Sequence, residues 1–345
     1  MLRGLGKLGS LREFWRITRE LSPKAIEIEA QQSFRLAVLG AADVDKSRVS
    51  AALAPENSLA DGLVQTADLP EDRSEFAGLP AADLYVYVAD VSHGISIADV
   101  QWLDLLEASG RPVVLAAQTG GNGLIDDASL ADYAYGPIPL HRIAILRDED
   151  PSAIAEKIVQ VIVDTVPGLE LALGRRLPEF RERVANKIIM ETARVNAEFA
   201  FFSSIPSNIP ILGEIVAPSA DLIVLTKNQI MMLFKLAAIY GRRLDTRLGV
   251  AAEIAPVVGG AFLWRTLART LLGFVPGILS AVPKTTVAFV GTYVVGSAAL
   301  YYYRYGQNPS RQAMKEFQRD AVNRVRAVVP ALRRQRTRNQ ADFEF

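Results

Sequence analysis

The feature that most constrains this chain is one stretch near its start, "FRLAVLGAADVDKSRVSAAL", at residues 34–53. It reads as a short apolar strand, a turn, and then Lys-Ser at the start of a helix. The same order of elements makes the phosphate-binding loop GxxxxGK[ST], whose backbone N–H groups cradle phosphates. Gly40, Lys46 and Ser47 hold the required spacing, but Asp45 stands where the second glycine should be.

The aspartate at position 45 weighs against nucleotide binding. Its carboxylate would lie beside a polyphosphate, and Asp43 would add a second negative charge. Repulsion between like charges in a partly desolvated pocket costs several kcal/mol by order of magnitude. A micromolar affinity is worth only about 8 kcal/mol in total. We therefore expect the loop to keep its shape without its ligand.

Five apolar runs, separated by helical patterns, follow the first 33 residues. Continuous apolar strands alternating with helices predict a mostly parallel sheet that is covered on both faces. We therefore predict a doubly wound α/β domain over residues 34–168. The expected strands lie within residues 34–40, 62–70, 82–90, 111–118 and 141–147. Helices are predicted after the loop, before Gly110, and after the Asp150-Pro151 cap signal.

Residues 34–166 resemble the Era-like GTPases, which are P-loop proteins of the TRAFAC type. Their D-x-P-G motif falls on residues 68–71, with Glu71 in place of the glycine, and N-K-x-D falls on 118–121 without its aspartate. The resemblance implies GTP and Mg²⁺ as ligands if the loop is functional. The nucleotide would then be bound by Gly40, Lys46, Ser47 and Asp68, and the metal by Ser47, Asp68 and Asp90. Alternatively, Asp90 caps a turn, and His93 is a turn residue rather than a base.

The second half of the chain predicts an all-α, strongly apolar domain over residues 169–306. Long helices are expected at 176–202 and 217–241, and shorter apolar segments at 254–264 and 270–283. The segment at residues 285–303 has 19 residues without a charge, between Lys284 and Arg304. At a rise of 1.5 Å per residue it is about 28 Å long, close to the hydrocarbon thickness of a bilayer. It predicts either a membrane-inserted helix or a buried helix of a bundle.

This half resembles the YcjF-like helical domains that follow Era-like GTPase domains in bacteria. The resemblance rests on "NIPILGE", on "ADLIVLTKNQIMMLFKLAAIYG" and on "VGTYVVGSAALYYYRYG". It implies a membrane-linked bacterial protein and supplies no catalytic residue. A polar cluster is expected among otherwise apolar helices, because buried polar side chains need partners. Its members would be Asn196, Asp221, Asn228 and Gln229, serving either helix register or a polar site for a partner or ion.

Charge divides the chain into an acidic and a basic half. Residues 34–172 carry 8 Lys/Arg against 22 Asp/Glu, whereas residues 173–345 carry 24 against 12. A basic, apolar half suits an anionic lipid surface, and we do not expect nucleic acid as a partner. The chain has no cysteine and two histidines, so thiolate and multi-histidine metal sites are not expected. An amphipathic helix is predicted over residues 1–33, and a basic helix and tail over 307–345.

These observations predict a membrane-associated pseudo-GTPase that acts as a scaffold or regulator through its helical domain, at the cytoplasmic face of a bacterial inner membrane. It would bind lipid and a protein partner or a second copy, and it would not be an enzyme. One alternative is an active GTPase with altered motifs that couples hydrolysis to the membrane domain. Another is a soluble helical oligomer with an inert nucleotide-fold domain.

Overall fold

The computed structural model describes residues 23–54, 62–120, 137–147, 150–202, 218–244 and 284–341. Side chains are described within these ranges except at residues 202, 218–223 and 329–341. Most of the predicted N-terminal helix, the proline-rich turn at 203–213 and the apolar segments at 254–264 and 270–283 lie outside the described residues. The chain forms two compact units, one of Ile28–Val184 and one of Met1–Glu27 with Ala185–Phe345.

The first unit is built on a five-stranded, fully parallel sheet with the order β2-β1-β3-β4-β5. All five predicted strands are present, at β1 Leu36–Gly40, β2 Val64–Asp68, β3 Leu84–Asp90, β4 Val113–Gln118 and β5 Ile143–Leu146. The three central strands are buried along nearly their whole length. Burial on both faces explains why they read as continuous apolar runs rather than as alternating patterns. The α/β fold class is therefore confirmed.

Local signals set where the helices of this unit begin and end. They are α1 Lys24–Gln31, α2 Ser47–Leu53, α3 Ile97–Ala108, α4 Pro151–Thr165 and α5 Glu170–Arg176. Ser96 and Asp99 form a capping box at the start of α3, and Gly110 follows its end with a φ of 72°. At α4, the Asp150 side chain accepts hydrogen bonds from the backbone N–H groups of Ser152 and Ala153. Two short 3₁₀ helices, Arg73–Gly78 and Leu140–Arg142, complete the unit.

The unit extends beyond the predicted domain end at residue 168. It includes α5 and the first turns of α6, Pro178–Phe202. Leu171, Leu173 and Phe180 in this segment are buried, and Arg183 forms an ion pair with Asp164 of α4 at 3.1 Å. The compact unit therefore ends within a continuous helix, where the sequence has no glycine or proline to mark a boundary.

The second unit is helical where it is described. Beyond α6 it contains α7 Pro218–Ile239, α8 Lys284–Tyr305 and α9 Arg311–Ala341. The predicted end of α7 at Gly241 is confirmed, since this glycine has a φ of 76°. Helix α8 packs against both α7 and α9. On α8, Tyr293 donates a hydrogen bond to Asp320 of α9, and Arg324 donates to the same carboxylate at 2.9 Å.

Helix α8 contains the uncharged segment that was predicted either to enter a membrane or to lie inside a bundle. Every residue from 288 to 296 is buried within the protein. Among the helices that the structure describes, none combines the length and the hydropathy needed to cross a bilayer. Threonine, serine, glycine and tyrosine lower the hydropathy of α8, and neighbouring helices cover its surface. The central part of α8 is therefore a buried helix within the described helices.

Candidate functional site: the loop after the first strand

The carboxyl ends of the parallel strands bring the predicted loop residues to one edge of the sheet. Gly40 at the end of β1 pairs with Asp68 at the end of β2, and Asp90 at the end of β3 pairs with Gln118 at the end of β4. In doubly wound sheets of this strand order, ligands bind beside the carboxyl ends of the strands, at the point where the strand order reverses. The loop of residues 41–46 follows β1 and therefore lies at that position.

Gly40 is required by the neighbouring strand. A Cβ atom at this position would lie 2.6 Å from the carbonyl oxygen of Val88 in β3, which is closer than real Cβ contacts allow. Strand packing by itself therefore excludes every other residue type at position 40. The presence of this glycine does not indicate a phosphate ligand.

Lys46 is buried beneath the loop, with 7% of its surface exposed. Its ammonium group donates hydrogen bonds to the carbonyl oxygens of Ala41, at 2.6 Å, and Val44, at 2.8 Å. It also lies 2.9 Å from the Oδ1 atom of Asp68, whose side chain is 62% exposed. An ammonium group has three protons to donate, and here three protein oxygens surround it. Lys46 therefore holds the loop together and neutralises the end of β2.

Asp45 accepts hydrogen bonds from the residue that should bind the metal. Its Oδ1 atom accepts from the backbone N–H of Ser47 at 2.9 Å and from the Ser47 hydroxyl at 2.6 Å. These hydrogen bonds hold the pKa of Asp45 below its ordinary value. Within the described residues no non-glycine residue has a positive φ, so Asp45 adopts an ordinary backbone conformation. The carboxylate thus takes up the Ser47 backbone N–H that a bound phosphate would otherwise meet.

Asp90 makes the turn after β3, as the alternative interpretation of this residue predicted. Its Oδ1 atom accepts from the backbone N–H of Ser92 at 2.9 Å and from the Ser92 hydroxyl at 2.6 Å, and these bonds lower the pKa of Asp90. The Ser92 hydroxyl in turn accepts a hydrogen bond from the backbone N–H of Gly120 at 2.7 Å. His93 is exposed within the same turn.

Gln118 has a role that the sequence did not indicate. Its Nε2 atom donates to the carbonyl oxygen of Asp45 at 2.8 Å, although the two residues are 73 positions apart in the chain. From the sequence, Gln118 marks only the place where the Era-like motif has an asparagine. Its position at the carboxyl end of β4 is the one signal that could have pointed to a contact with the loop.

The residues present do not make a convincing place for a nucleotide and its magnesium ion in this conformation. The Ser47 hydroxyl donates to Asp45, and the Lys46 ammonium is held by three protein oxygens. Across the described ranges, no group of three or more histidine, cysteine, aspartate or glutamate side chains is arranged to hold a metal ion. The charged side chains of this arrangement stabilise the loop of residues 41–46.

In the helical unit, the structure brings together three of the four residues predicted as a polar cluster. The Asn196 Nδ2 atom donates to Thr292 Oγ1 at 2.8 Å, and Asn228 Nδ2 donates to Asn196 Oδ1 at the same distance. Gln229 Nε2 also donates to Thr292 Oγ1, at 3.0 Å. Asn196 and Thr292 are fully buried. The side chain of Asp221, the fourth predicted member, lies outside the described residues.

Thr292 is the member of this polar cluster that the sequence analysis missed. It accepts two hydrogen bonds and connects α8 to α6 and α7. Its signal was weak, because a threonine within an apolar helix is ordinary and its hydroxyl can bond to its own backbone. With these hydrogen bonds made, the cluster fixes the register of three helices.

No model of a known protein family matches this chain, and no curated protein is detectably similar to it.

Proposed function

We propose that this protein is a membrane-associated pseudo-GTPase, which acts as a scaffold or regulator through its helical unit and not as a catalyst. One observation carries the proposal: the Lys46 ammonium and the Ser47 backbone N–H, which belong to the two intact residues of the phosphate-loop motif, both donate to the protein itself. A nucleotide would have to displace these contacts before it gained its own.

The charges around the loop support this proposal. A phosphate approaching Lys46 would compete with the ion pair to Asp68, and Asp43, Asp45 and Glu71 are exposed on the same loops. A nearby like charge disfavours binding of an anion. The acidic loop therefore repels the ligand that its backbone shape would otherwise suit.

The proposed context comes from the resemblances to Era-like GTPase domains and YcjF-like helical domains. On this proposal the protein lies at the cytoplasmic face of a bacterial inner membrane, peripheral or integral, with lipid and a protein partner or second copy as its ligands. The basic composition of residues 173–345 supports attraction to an anionic leaflet.

The test is a titration of the purified full chain with GTP, GDP and ATP, each with Mg²⁺, by calorimetry and thermal shift. We expect no heat of binding and no shift of the melting temperature at millimolar nucleotide. Micromolar binding of any of the three would overturn the proposal.

Two variants at position 45 separate charge from geometry. Asp45→Asn keeps an oxygen that can accept from Ser47 but removes the charge, whereas Asp45→Gly removes both. We expect Asp45→Gly to gain measurable GTP affinity and Asp45→Asn to gain less. No gain in either variant would show that the ion pair between Lys46 and Asp68 is enough to exclude the ligand, which Asp68→Asn then tests.

The second candidate is an active GTPase with altered motifs. One observation favours it: Lys46 is still buried under a loop that connects the end of β1 to the start of α2, at the ligand-binding edge of the sheet. In that case wild-type protein would release phosphate from GTP, and Lys46→Ala would abolish the release while keeping its fold. A single turnover assay with the two proteins decides between the candidates. Light scattering of the same sample tests the third interpretation, a soluble oligomer.

A further inference from the structure

One side of α9 carries a row of cations. Arg311, Lys315, Arg319 and Arg326 are exposed on this helix. At 100° per residue the four positions fall within an arc of about 80° and extend over about 23 Å. All four precede Pro330, the one interior residue of α9 that cannot donate a helical hydrogen bond. We call these four residues the cationic row.

The acidic residues of α9 lie away from the cationic row. The helix has nine Lys/Arg and two acidic residues, Glu316 and Asp320. Asp320 is bound by Tyr293 and Arg324, and Glu316 accepts a hydrogen bond from Gln312 at 2.9 Å. By the helical spacing both lie about 60° or more outside the arc. Within the described part of the chain, the row is therefore a strip of positive charge with no acidic residue of α9 inside its arc.

Packing of α9 leaves the cationic row accessible in this unit. The buried residues of the helix, Ala321, Val325 and Val328, lie on another side, and α9 contacts α8. The row therefore contributes little to the core. Solvation of a helix side can be met by charges of both signs, so it does not explain why cations alone are aligned here. Aligned like charges destabilise a helix slightly, which makes the arrangement costly unless a ligand uses it.

We infer that the cationic row docks on the surface of a bilayer that contains anionic phospholipid. A straight row of charges can meet a flat surface along its whole length, whereas the phosphate backbone of a duplex curves away from a straight helix. The row also carries no aromatic side chain on which a base could stack. Four to eight Lys/Arg residues on a helix suffice for attraction to anionic lipid, at about a fivefold change in affinity for each. This inference rests on the membrane association in the proposed function, and it names the surface and the lipid class.

The experiment is co-sedimentation of the full chain with vesicles of phosphatidylcholine alone, or with 30% phosphatidylserine. We expect binding to the anionic vesicles only, and release at high salt because ions screen exposed charges. The test variant is Lys315→Gln with Arg319→Gln, two residues of the cationic row. The matched control is Arg334→Gln with Arg338→Gln, which removes the same charge from α9 at positions outside the row. Circular dichroism melts check that both variants fold.

We expect the row variant to weaken vesicle binding tenfold or more and the control to weaken it less than threefold. Equal losses would overturn the inference, since they would show that net charge rather than the row is responsible. Absence of binding to anionic vesicles would also overturn it, as would stronger binding of the chain to a 20-base-pair duplex. Nucleotide titration is a separate readout. A chain that binds both anionic lipid and GTP would refute the pseudo-GTPase proposal and leave the cationic row intact. A chain that binds neither would refute the cationic row alone.

Discussion

The loop of the α/β unit and the polar cluster of the helical unit both satisfy polar side chains internally, but they do so over different distances along the chain. In the loop, Lys46 bonds to carbonyls two and five residues away, and Asp45 bonds to Ser47 two residues away. In the cluster, Asn196 bonds to Thr292 across 96 residues. The hydrogen bonds within the loop are encoded locally, with Gln118 and Asp68 as contacts from elsewhere in the chain, whereas the cluster is encoded only by the complete fold. Changes in the loop should therefore alter local conformation, and changes in the cluster should alter the stability of the whole unit.

The largest effect is expected when the cluster is broken at its centre. Asn196→Ala leaves the Asn228 amide without its acceptor and leaves Thr292 with Gln229 as its one remaining donor in the cluster. An unsatisfied buried group of this kind costs about 1–3 kcal/mol of unfolding free energy, measured by urea denaturation. The control is Asn323→Ala on the exposed side of α9, which should change little. If Asn196→Ala were as mild as the control, the cluster would not hold the helices in register.

A smaller effect is expected where α8 approaches its neighbours most closely. A Cβ at position 296 would lie 2.7 Å from Cγ1 of Ile189 and 3.0 Å from the sulfur of Met232. Gly296→Ala should therefore destabilise the unit by about 1–3 kcal/mol, less a gain of up to about 1 kcal/mol in helix propensity.

A double variant makes the packing test independent of propensity. Ile189→Ala removes the Cγ1 and Cγ2 atoms, which would lie 2.7 and 2.9 Å from the new methyl group, and leaves the Met232 sulfur at 3.0 Å. The double variant should therefore be less unstable than the sum of the two single variants. Simple additivity of the unfolding free energies would show that contact with Ile189 is not what destabilises Gly296→Ala.

The smallest effect is expected at the loop, and it depends on pH. Hydrogen bonds lower the pKa of Asp45 in the folded state, so its contribution is present above the unfolded pKa of about 4. That contribution is lost as the pH falls through the lower, folded value. Asp45→Asn should therefore lose a little stability at pH 7 and show a shallower acid limb below about pH 4. Equal acid limbs for the two proteins would mean that the contact with Ser47 does not stabilise the loop.

The sheet was predictable because its signals are local and repeated. The apolar strands at 34–40, 82–90 and 111–118 are buried on both faces, so their composition alone identifies them. Cap signals at Asp150-Pro151 and Gly110 defined helix ends for the same reason. The cluster was partly predictable, since Asn196, Asn228 and Gln229 are conspicuous on apolar helices, whereas Thr292 is not.

Tertiary packing decided what the sequence could not. The uncharged segment at 285–303 suits either lipid or a protein core, and only the neighbouring helices show which one surrounds it. Two of the acceptors of Lys46 are backbone carbonyls, and residue identities alone do not reveal which carbonyls a side chain reaches. Gln118 reaches the loop only because two strands end at the same edge of the sheet.

The close approach of Gly40 to the carbonyl of Val88 has a consequence for the use of short motifs as signs of ligand binding. A residue with an architectural task is retained whether or not the ligand of its motif binds. Gly40 allows two strands to lie close together, Lys46 supports the loop from below, and Ser47 anchors Asp45. A search that counts matches would score all three as signs of GTP binding. The informative position is the one whose glycine a ligand requires, and in this chain that position holds Asp45.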